Sequence, residues 1–476
     1  MLLSIEKLIY GGDGLARLPA GSPPATDRTR GKAVFIPFVL AGERVEASIT
    51  ERKPGFARAR PEAIVEPSPH RVPPACPYFS HCGGCHYQHA TYEHQLEIKK
   101  EILHETLGRF AKIELPCEIE VHPSPPWNYR NRSRFQLQTH PEFSAGYFKL
   151  ASHELLAVEQ CPISSPLINR GLVALWQSGR SGKVPKGVRE VEFFANADDT
   201  QMLVDVRCAG DARRAAVRVW AEEMCVALPE IAGVVAFREA NPGDRKKSAQ
   251  EVLVTVGAAH LTYQTQEARY RVSAGSFFQT NRHLTDELVK IVTAGRSGDL
   301  ALDLYAGVGL FSTALACDFR HIVSVESSQT STADLSYNHP KNGETFQGTA
   351  EQYLERKEDR RENPGRSDSV RSDGGRSDSS RLTKNLAALP PVLRQSDLAV
   401  PDLVVVDPPR SGLGEPVARL LAKLASPRVT YVSCDPATLA RDLVPLLAAG
   451  YHVEGAHLID LFPQTYHLET VVHLAK

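Results

Sequence analysis

No stretch of this 476-residue chain approaches the roughly 18 unbroken apolar residues that a membrane helix requires, so a helical membrane protein is excluded. The opening Met1-Leu-Leu-Ser-Ile-Glu6-Lys7 is too short an apolar run for a secretory signal. Net charge is almost absent. The 55 Lys+Arg and 56 Asp+Glu leave −1, so overall charge names no partner and local faces have to. An even cysteine framework is also missing: nine cysteines in a long chain argue against a secreted disulfide scaffold. Reduced thiols in the cytoplasm, some of them ligands or nucleophiles, are expected instead. What is present is ordinary for a globular protein, with 42% apolar and 23% charged residues. At roughly 100–200 residues per domain the length predicts about two to four domains.

Residues 1–70 read as β structure. Apolar runs at 3–8, 33–38 and 44–49 are separated by Gly11-Gly-Asp-Gly14 and the Pro/Gly-rich stretch 19–31, a pattern that suggests a small barrel. From 91 to 110, Leu96, Ile102, Leu103, Leu107 and Phe110 fall on one helical face. Residues 121–270 look like a mixed α+β unit, with strand-like runs at 188–195 and 201–207. From about 270 onward, strands at 300–304, 321–325, 403–406, 429–433 and 469–474 alternate with helical segments, as in a doubly wound parallel α/β sheet. One tract interrupts the alternation. Residues 355–381 hold eight Lys/Arg and seven Asp/Glu with Val370 as the sole aliphatic, and Arg-Ser-Asp recurs at 366, 371 and 376. So polar a segment buries too little surface to offset its ordering entropy, and a disordered insertion is expected. A basic RNA-binding tail is the alternative, though the acids nearly cancel the bases.

Asp303-Leu-Tyr305-Ala-Gly307-Val-Gly309 ends a strand and opens a helix, where glycines let a ligand approach the backbone. Glu326, 19 residues past Gly307, ends the next strand, where an acid bonds both hydroxyls of a ribose. The third glycine of the dinucleotide fingerprint is missing, which favours S-adenosylmethionine over NAD. Asp407-Pro-Pro-Arg410 ends a later strand on the same side, and its rigid corner fixes the backbone beside a substrate. Enzymes that methylate exocyclic amines usually have an aromatic residue after the two prolines; Arg410 there counts against that chemistry.

Val432-Ser-Cys434-Asp-Pro436 puts a thiol just past the next strand, at the sheet edge where ligands bind, which makes Cys434 a candidate nucleophile. Glu469, in His467-Leu-Glu469-Thr-Val, starts the last strand within reach of the same edge. Farther upstream, Cys76-x5-Cys82-x2-Cys85 and the distant Cys161-Pro162 supply four more thiols. Three cysteines plus a remote one before proline favour a 4Fe-4S cluster, while His86 and His89 keep zinc open. Trp127-Asn-Tyr129-Arg130-Asn-Arg132-Ser-Arg134-Phe135 contains no acid, and strand spacing puts Arg130, Arg132 and Arg134 on one face, suited to RNA phosphates.

Taken in order, Phe277-Phe-Gln279-Thr-Asn281, Asp303 to Gly309, Asp407-Pro-Pro-Arg-Ser-Gly412, Ser433-Cys434-Asp-Pro436 and His467-Leu-Glu469-Thr470 resemble the motifs of the RNA uracil-5 methyltransferases. The resemblance covers most of the chain. It implies that Cys434 is the nucleophile, that Glu469 is the base, and that Gln279, Tyr305, Glu326 and Asp407 contact S-adenosylmethionine beside the Gly307–Gly309 turn. It also implies that residues 1–70 form an OB-like, RNA-binding TRAM barrel. Likeness to the cluster-containing bacterial members that act on 23S ribosomal RNA favours a 4Fe-4S cluster on Cys76, Cys82, Cys85 and Cys161. The expected division is 1–70 for the barrel, 71–90 with 119–270 for a central iron-sulfur domain, and 91–118 with 271–476 for a Rossmann-like class I methyltransferase domain. Residues 355–398 form a largely disordered insertion in the last of these, for which the family pattern has no counterpart. A monomer acting on 23S ribosomal RNA is expected. The alternatives are a transfer RNA substrate, a radical enzyme (disfavoured because four cysteines leave no open iron) and a non-catalytic RNA-binding assembly factor.

Overall fold

The computed structural model describes residues 1–18, 31–113, 115, 118–239, 251–362 and 399–476. It separates into two compact units. The first comprises Met1–Arg109, Ile119–Asp286 and His457–Glu469, and the second Phe110–Glu118, Glu287–Ala456 and Thr470–Lys476.

Alternation at period two makes the N-terminal strands. Along Arg44–Arg52, for example, Val45 and Ala47 point inward and Glu46 and Ser48 outward. The strands lie in the order Leu2–Ser4, Arg44–Arg52, Phe56–Glu66, Ala33–Pro37, Asp13–Arg17, Lys7–Leu8. The two ends of that order are separated in sequence only by Ile5 and Glu6. Three Cα steps span at most about 11 Å, so the sheet has to curl until its edges approach. It encloses Leu3, Ile5, Val34, Ile36, Val45 and Ala57, the core expected of the small barrel.

The expected α+β unit is a sheet ordered Leu155–Ala157, Ser144–Phe148, Arg132–Gln138, Val188–Ala195, Met202–Cys208, Ile231–Arg238, Glu251–Gly257. Helices Pro166–Arg180 and Arg214–Ala227 contribute Leu172, Leu175, Trp176, Val217 and Trp220 to its core, beside Phe135, Phe193 and Val204. Both units of the sequence reading, barrel and central sheet, fall within the first compact unit, and so does the helix Tyr92–Thr106. That helix differs from expectation in its buried face. Gln95, Ile98, Lys99, Ile102 and Leu103 point inward, whereas Phe110 lies in a π-helical last turn with 62% of its surface exposed. Lys99 and Gln95 displace the expected apolar stripe because buried acceptors await them, as described below.

In the second unit the strands run Gly343–Gln347, Phe319–Glu326, Gly298–Leu304, Leu403–Val406, Arg428–Ser433, Glu469–Ala475, His452–Ile459. The first five pair in parallel, and Leu403–Val406 is buried on both faces, as a central parallel strand should be. The sheet departs from the all-parallel expectation at Glu469–Ala475, which runs antiparallel to Arg428–Ser433. The physical reason is His452–Ile459, a strand not read from the sequence, which follows helix Pro436–Ala448 and returns the chain to the opposite end before the last strand begins. The end of His452–Ile459, counted in the first unit, pairs in parallel with Glu120–His122.

The insertion also needs correction. Residues 355–362 are not disordered but complete the helix Ala350–Glu362, which buries Tyr353, Leu354 and the stem of Lys357. Glu358 pairs with Lys423, and Arg361 donates to the Leu424 carbonyl. Residues 363–398, with the Arg-Ser-Asp repeats, lie outside the described residues.

Candidate active site

The second unit's sheet ends in a row of turns. After Gly298–Leu304, Tyr305 adopts φ +65°, a conformation a bulky residue rarely takes; Gly307 and Gly309 follow at +57° and +94°, and Gly309 caps helix Leu310–Leu315. A strained aromatic beside two left-handed glycines presents the backbone to the space beyond the strand. The Gly307 N–H donates to Glu326 Oε2 at 2.9 Å, and the Ser328 N–H to Glu326 Oε1 at 2.6 Å. Each oxygen keeps lone pairs, so the carboxylate is fixed in orientation and still able to accept.

Asp303 is fully buried. The Ser312 hydroxyl donates to its Oδ2, and the chain of polar groups continues through Ser324 to His339, each step 2.8 Å. Its other oxygen, Oδ1, is buried with no hydrogen-bond partner, an acceptor awaiting a donor. Burial pushes the Asp303 carboxyl up to about 7, against the pull of Ser312. Asp407 is pushed up to about 7 as well, by burial first and by the charge of Asp303 second. The turn after Asp407 is held by Asp442, whose Oδ2 accepts from the Leu413 N–H at 2.7 Å and the Tyr431 hydroxyl at 2.8 Å.

Cys434 follows strand Arg428–Ser433 directly. Asp435 then caps helix Pro436–Ala448, accepting from the N–H groups of Ala437 at 3.0 Å and Thr438 at 2.9 Å. The thiol therefore precedes the end of a helix where unpaired N–H groups gather positive partial charge. In the antiparallel pair Ser433 lies opposite Thr470; in sequence Cys434 follows the first and Glu469, counted in the first unit, precedes the second. Glu469 is buried. Gln279 is buried too, in the first unit, two residues before the buried Asn281.

Within the first unit, Cys76, Cys82, Cys85 and Cys161 all line one chamber of about 650 Å³, together with Tyr147 and Arg134. Sequence reading missed the groups that hold them. Gln88 accepts from the Cys76 N–H at 3.1 Å; Asn169, on helix Pro166–Arg180, accepts from the Cys161 N–H at 2.8 Å and donates to the Cys161 carbonyl at 3.0 Å. The amide side chain supplies the acceptor and the donor together, and nothing local in the sequence marks Asn169 as that clamp. His86 and His89 do not line the chamber, and burial pushes both down to about 4, which keeps the imidazoles neutral. Burial raises the Cys76 thiol, takes Cys82 to about 11 and raises Cys85 further.

The three arginines do not share an open face. Arg132, 12% exposed, packs its guanidinium 4.2 Å over Phe194, pairs with Glu192 at 3.5 Å and donates to the Ser276 carbonyl at 2.7 Å. The expectation of a phosphate ligand fails for Arg132, because the neighbouring strand Val188–Ala195 supplies the acid that the arginine-rich segment lacks. Arg134 is half exposed yet also meets Glu192, at 3.0 Å; with Arg130 it lines the cysteine chamber.

The family described as tRNA (Uracil-5-)-methyltransferase matches residues 91–347 and 393–476, and the TRAM domain matches residues 1–61. An RNA methyltransferase of Aquifex aeolicus, itself uncharacterized, is 31% identical, with 99% of this chain and 97% of that one covered. A Listeria monocytogenes RNA methyltransferase, also uncharacterized, is 28% identical, with 93% and 92% covered. Among solved structures, the Pyrococcus abyssi tRNA (uracil-54, C5)-methyltransferase in complex with S-adenosyl-L-homocysteine is similar over the whole of both chains, with a TM-score of 0.69 at 21% identity, which supports the fold.

Proposed function

The chain belongs to the tRNA (uracil-5-)-methyltransferase family and carries a TRAM domain, and from that premise we propose that it methylates carbon 5 of a uridine in 23S ribosomal RNA. The observation that supports the chemistry is that the Cys434 thiol directly follows strand Arg428–Ser433, at the end of the parallel sheet where the Asp303–Gly309 turn also lies. Carbon 5 of uracil is a poor nucleophile. The Cys434 thiolate adds to carbon 6, and the resulting enolate makes carbon 5 able to take a methyl group. Bound S-adenosylmethionine supplies that methyl as an electrophile. Glu469 then removes the carbon 5 proton, the double bond re-forms, and the Cys434 thiolate leaves.

For S-adenosylmethionine, Glu326 would accept from the ribose hydroxyls, held by the Gly307 and Ser328 N–H groups, and Tyr305, Gly307 and Gly309 would line its backbone side; the resemblance of the Phe277–Asn281 and Asp407–Gly412 motifs assigns Gln279 and Asp407 to it as well. The partnerless Asp303 Oδ1 is the sign that the pocket expects a donor. Cys76, Cys82, Cys85 and Cys161 would hold a 4Fe-4S cluster; the set of four thiols around one chamber supports it. The cluster's part is structural, because proton and methyl transfer at Cys434 need no electron. The TRAM barrel, with Arg130 and Arg134, would bind the RNA, and the protein would act as a cytoplasmic monomer. Among the described residues no helix is long and apolar enough to cross a membrane.

Mass spectrometric mapping of 5-methyluridine tests the reading. In 23S ribosomal RNA from cells with and without the protein, one 5-methyluridine should disappear with it. Purified protein should methylate a 23S fragment and leave transfer RNA unmodified. Methylation of transfer RNA alone would overturn the ribosomal substrate and leave the family chemistry standing. Cofactor binding without methyl transfer to either RNA would identify an assembly factor.

A further inference from the structure

Glu120 and His122 sit two residues apart on the strand Glu120–His122, so their side chains project from the same face. Parallel pairing brings His457 directly opposite Glu120. Three potential donor atoms meet there. His122 Nε2 lies 3.2 Å from His457 Nδ1, and His457 Nδ1 lies 3.5 Å from Glu120 Oε2, with all three donor atoms inside 4.8 Å of one another. All three residues belong to the first unit.

Those separations have a specific chemical meaning. Zinc bonds of about 2.0–2.1 Å to imidazole nitrogen and carboxylate oxygen give tetrahedral edges of about 3.3–3.5 Å. The nitrogen–nitrogen and nitrogen–oxygen gaps match those edges. Without metal, the same contact works as a hydrogen bond with one imidazole donating; a metal replaces that proton and takes both lone pairs. Two imidazoles and one carboxylate form a set of borderline hardness, which selects zinc-class divalent ions over magnesium or calcium. Both histidines are partly buried and Glu120 is exposed, so an ion would enter from the carboxylate side and keep its fourth position open to water.

We propose that Glu120, His122 and His457 bind one zinc-class divalent ion, which clamps the three-residue ladder between Glu120–His122 and the end of His452–Ile459. So short a ladder has little holding power of its own, and the segment that leaves it through Asp460 runs on to Glu469. The site is separate from the cysteine chamber in its residues and its ligand chemistry.

The test uses the full chain with its cysteine site loaded anaerobically with iron and sulfide, freed of other metal by a brief chelator wash, and then titrated calorimetrically with zinc chloride. The intact protein should take up one equivalent. In His122→Gln/His457→Gln the affinity should fall by more than about tenfold, since even outer ligands to metal sites are worth that much. Glu120→Gln, an exposed substitution that spares the fold, should weaken zinc binding measurably by itself. The zinc-dependent rise in Tm, measured against each protein's own Tm in chelator, should vanish in the double variant. Equal zinc uptake by parent and double variant would overturn the proposal, as would uptake lost only on Cys76→Ser. Neither result bears on methyl transfer.

Discussion

Lys99 Nζ lies 2.6 Å from Asp460 Oδ1, with both side chains at zero exposure, and also donates to the Phe462 carbonyl at 3.0 Å. Around that pair the chain from Asp460 to Gln464 is fastened within the first unit by several further bonds. Gln95 and Gln464 exchange hydrogen bonds of 3.0 and 3.1 Å, Tyr129 donates to the Pro463 carbonyl at 3.0 Å, and Asn281 donates to the Leu461 carbonyl at 3.1 Å. The N–H groups of His86 and Tyr87, next to Cys85, both donate to the Gln464 carbonyl. A segment leading to the proposed base is thus held by the helix Tyr92–Thr106, by the Phe277–Asn281 motif and by the residues beside the cysteine chamber.

Removing one member of a buried ion pair leaves the other charge uncompensated, a loss of about 3–5 kcal/mol. Lys99→Met should therefore lower the Tm sharply and reduce methyl transfer together with it. Lys99→Met combined with Asp460→Leu should recover much of the Tm, because no charge is then stranded. Thermal unfolding of the three variants beside the parent checks this. If the single and double variants melt alike, the pair is not what holds the segment.

Asp303 and Asp407 give the second unit a pH signature. Burial raises both carboxyls to about 7, above their ordinary 3.8, so the folded state holds more protons than the unfolded chain between those values. Stability must then fall as pH rises from about 4 to about 7 and level off above it. The two groups titrate as a pair rather than singly. Asp303→Asn should flatten that slope, as chemical denaturation of the two proteins at pH 5 and pH 8 would show. An unchanged slope in the variant would assign the protons elsewhere.

The insertion prediction is bounded by the helix Ala350–Glu362. Deleting residues 364–381, the polar Arg-Ser-Asp tract, should leave Tm and methyl transfer close to the parent's, since that composition offers little apolar surface to bury. Carrying the deletion back through Glu358 should lower Tm by several degrees, because it removes the Lys423 pair and the Arg361 bond to the Leu424 carbonyl. Loss of RNA affinity on the shorter deletion would show the Arg-Ser-Asp tract to be an RNA contact.

What could be read from the sequence were features encoded over a few neighbouring residues: the alternation that makes the barrel, the Asp303–Gly309 turn, the acid at Glu326, and the thiol at a strand end. What could not be read depends on partners far along the chain. A lysine in a helix looks like surface until Asp460, 361 residues away, is placed beside it. Arg132 looks like a phosphate ligand until strand Val188–Ala195 brings Glu192. The direction of Glu469–Ala475 hinges on an intervening strand whose weak pattern, with Glu454 and Gly455 inside it, hides it. His122 and His457 carry no common motif at all.

The cysteine chamber predicts a composition. Anaerobically purified protein should be brown and contain about four iron and four sulfide per chain. Cys161→Ser should lose the iron and lower the Tm, because Cys161 ties the segment 76–85 to one beyond residue 160. Asn169→Ala should do so partially, since it removes both bonds that orient Cys161 without removing the thiol. Stoichiometric zinc without iron in anaerobic material would refute the cluster.

The proposed chemistry predicts a trapped intermediate. In RNA carrying 5-fluorouridine, fluorine replaces the proton that Glu469 would remove, so addition of Cys434 and methylation proceed but elimination cannot. A denaturation-resistant protein–RNA adduct should accumulate, and only when S-adenosylmethionine is supplied if the methylated species is the one trapped. Cys434→Ala should abolish both adduct and turnover. Glu469→Gln should add and methylate on ordinary RNA, then stall, accumulating an adduct of the same kind. Asp435 has a structural role as the helix cap, its Oδ1 accepting from the N–H groups of Ala437 and Thr438. Asp435→Asn, which keeps an acceptor for the helix cap, should therefore retain most of its turnover. The target uridine also has to leave its stack to meet a thiol at the sheet edge, so an unpaired target should react faster than a paired one. Substantial turnover in Cys434→Ala would remove the nucleophile assignment, and full activity in Glu469→Gln would place the base elsewhere.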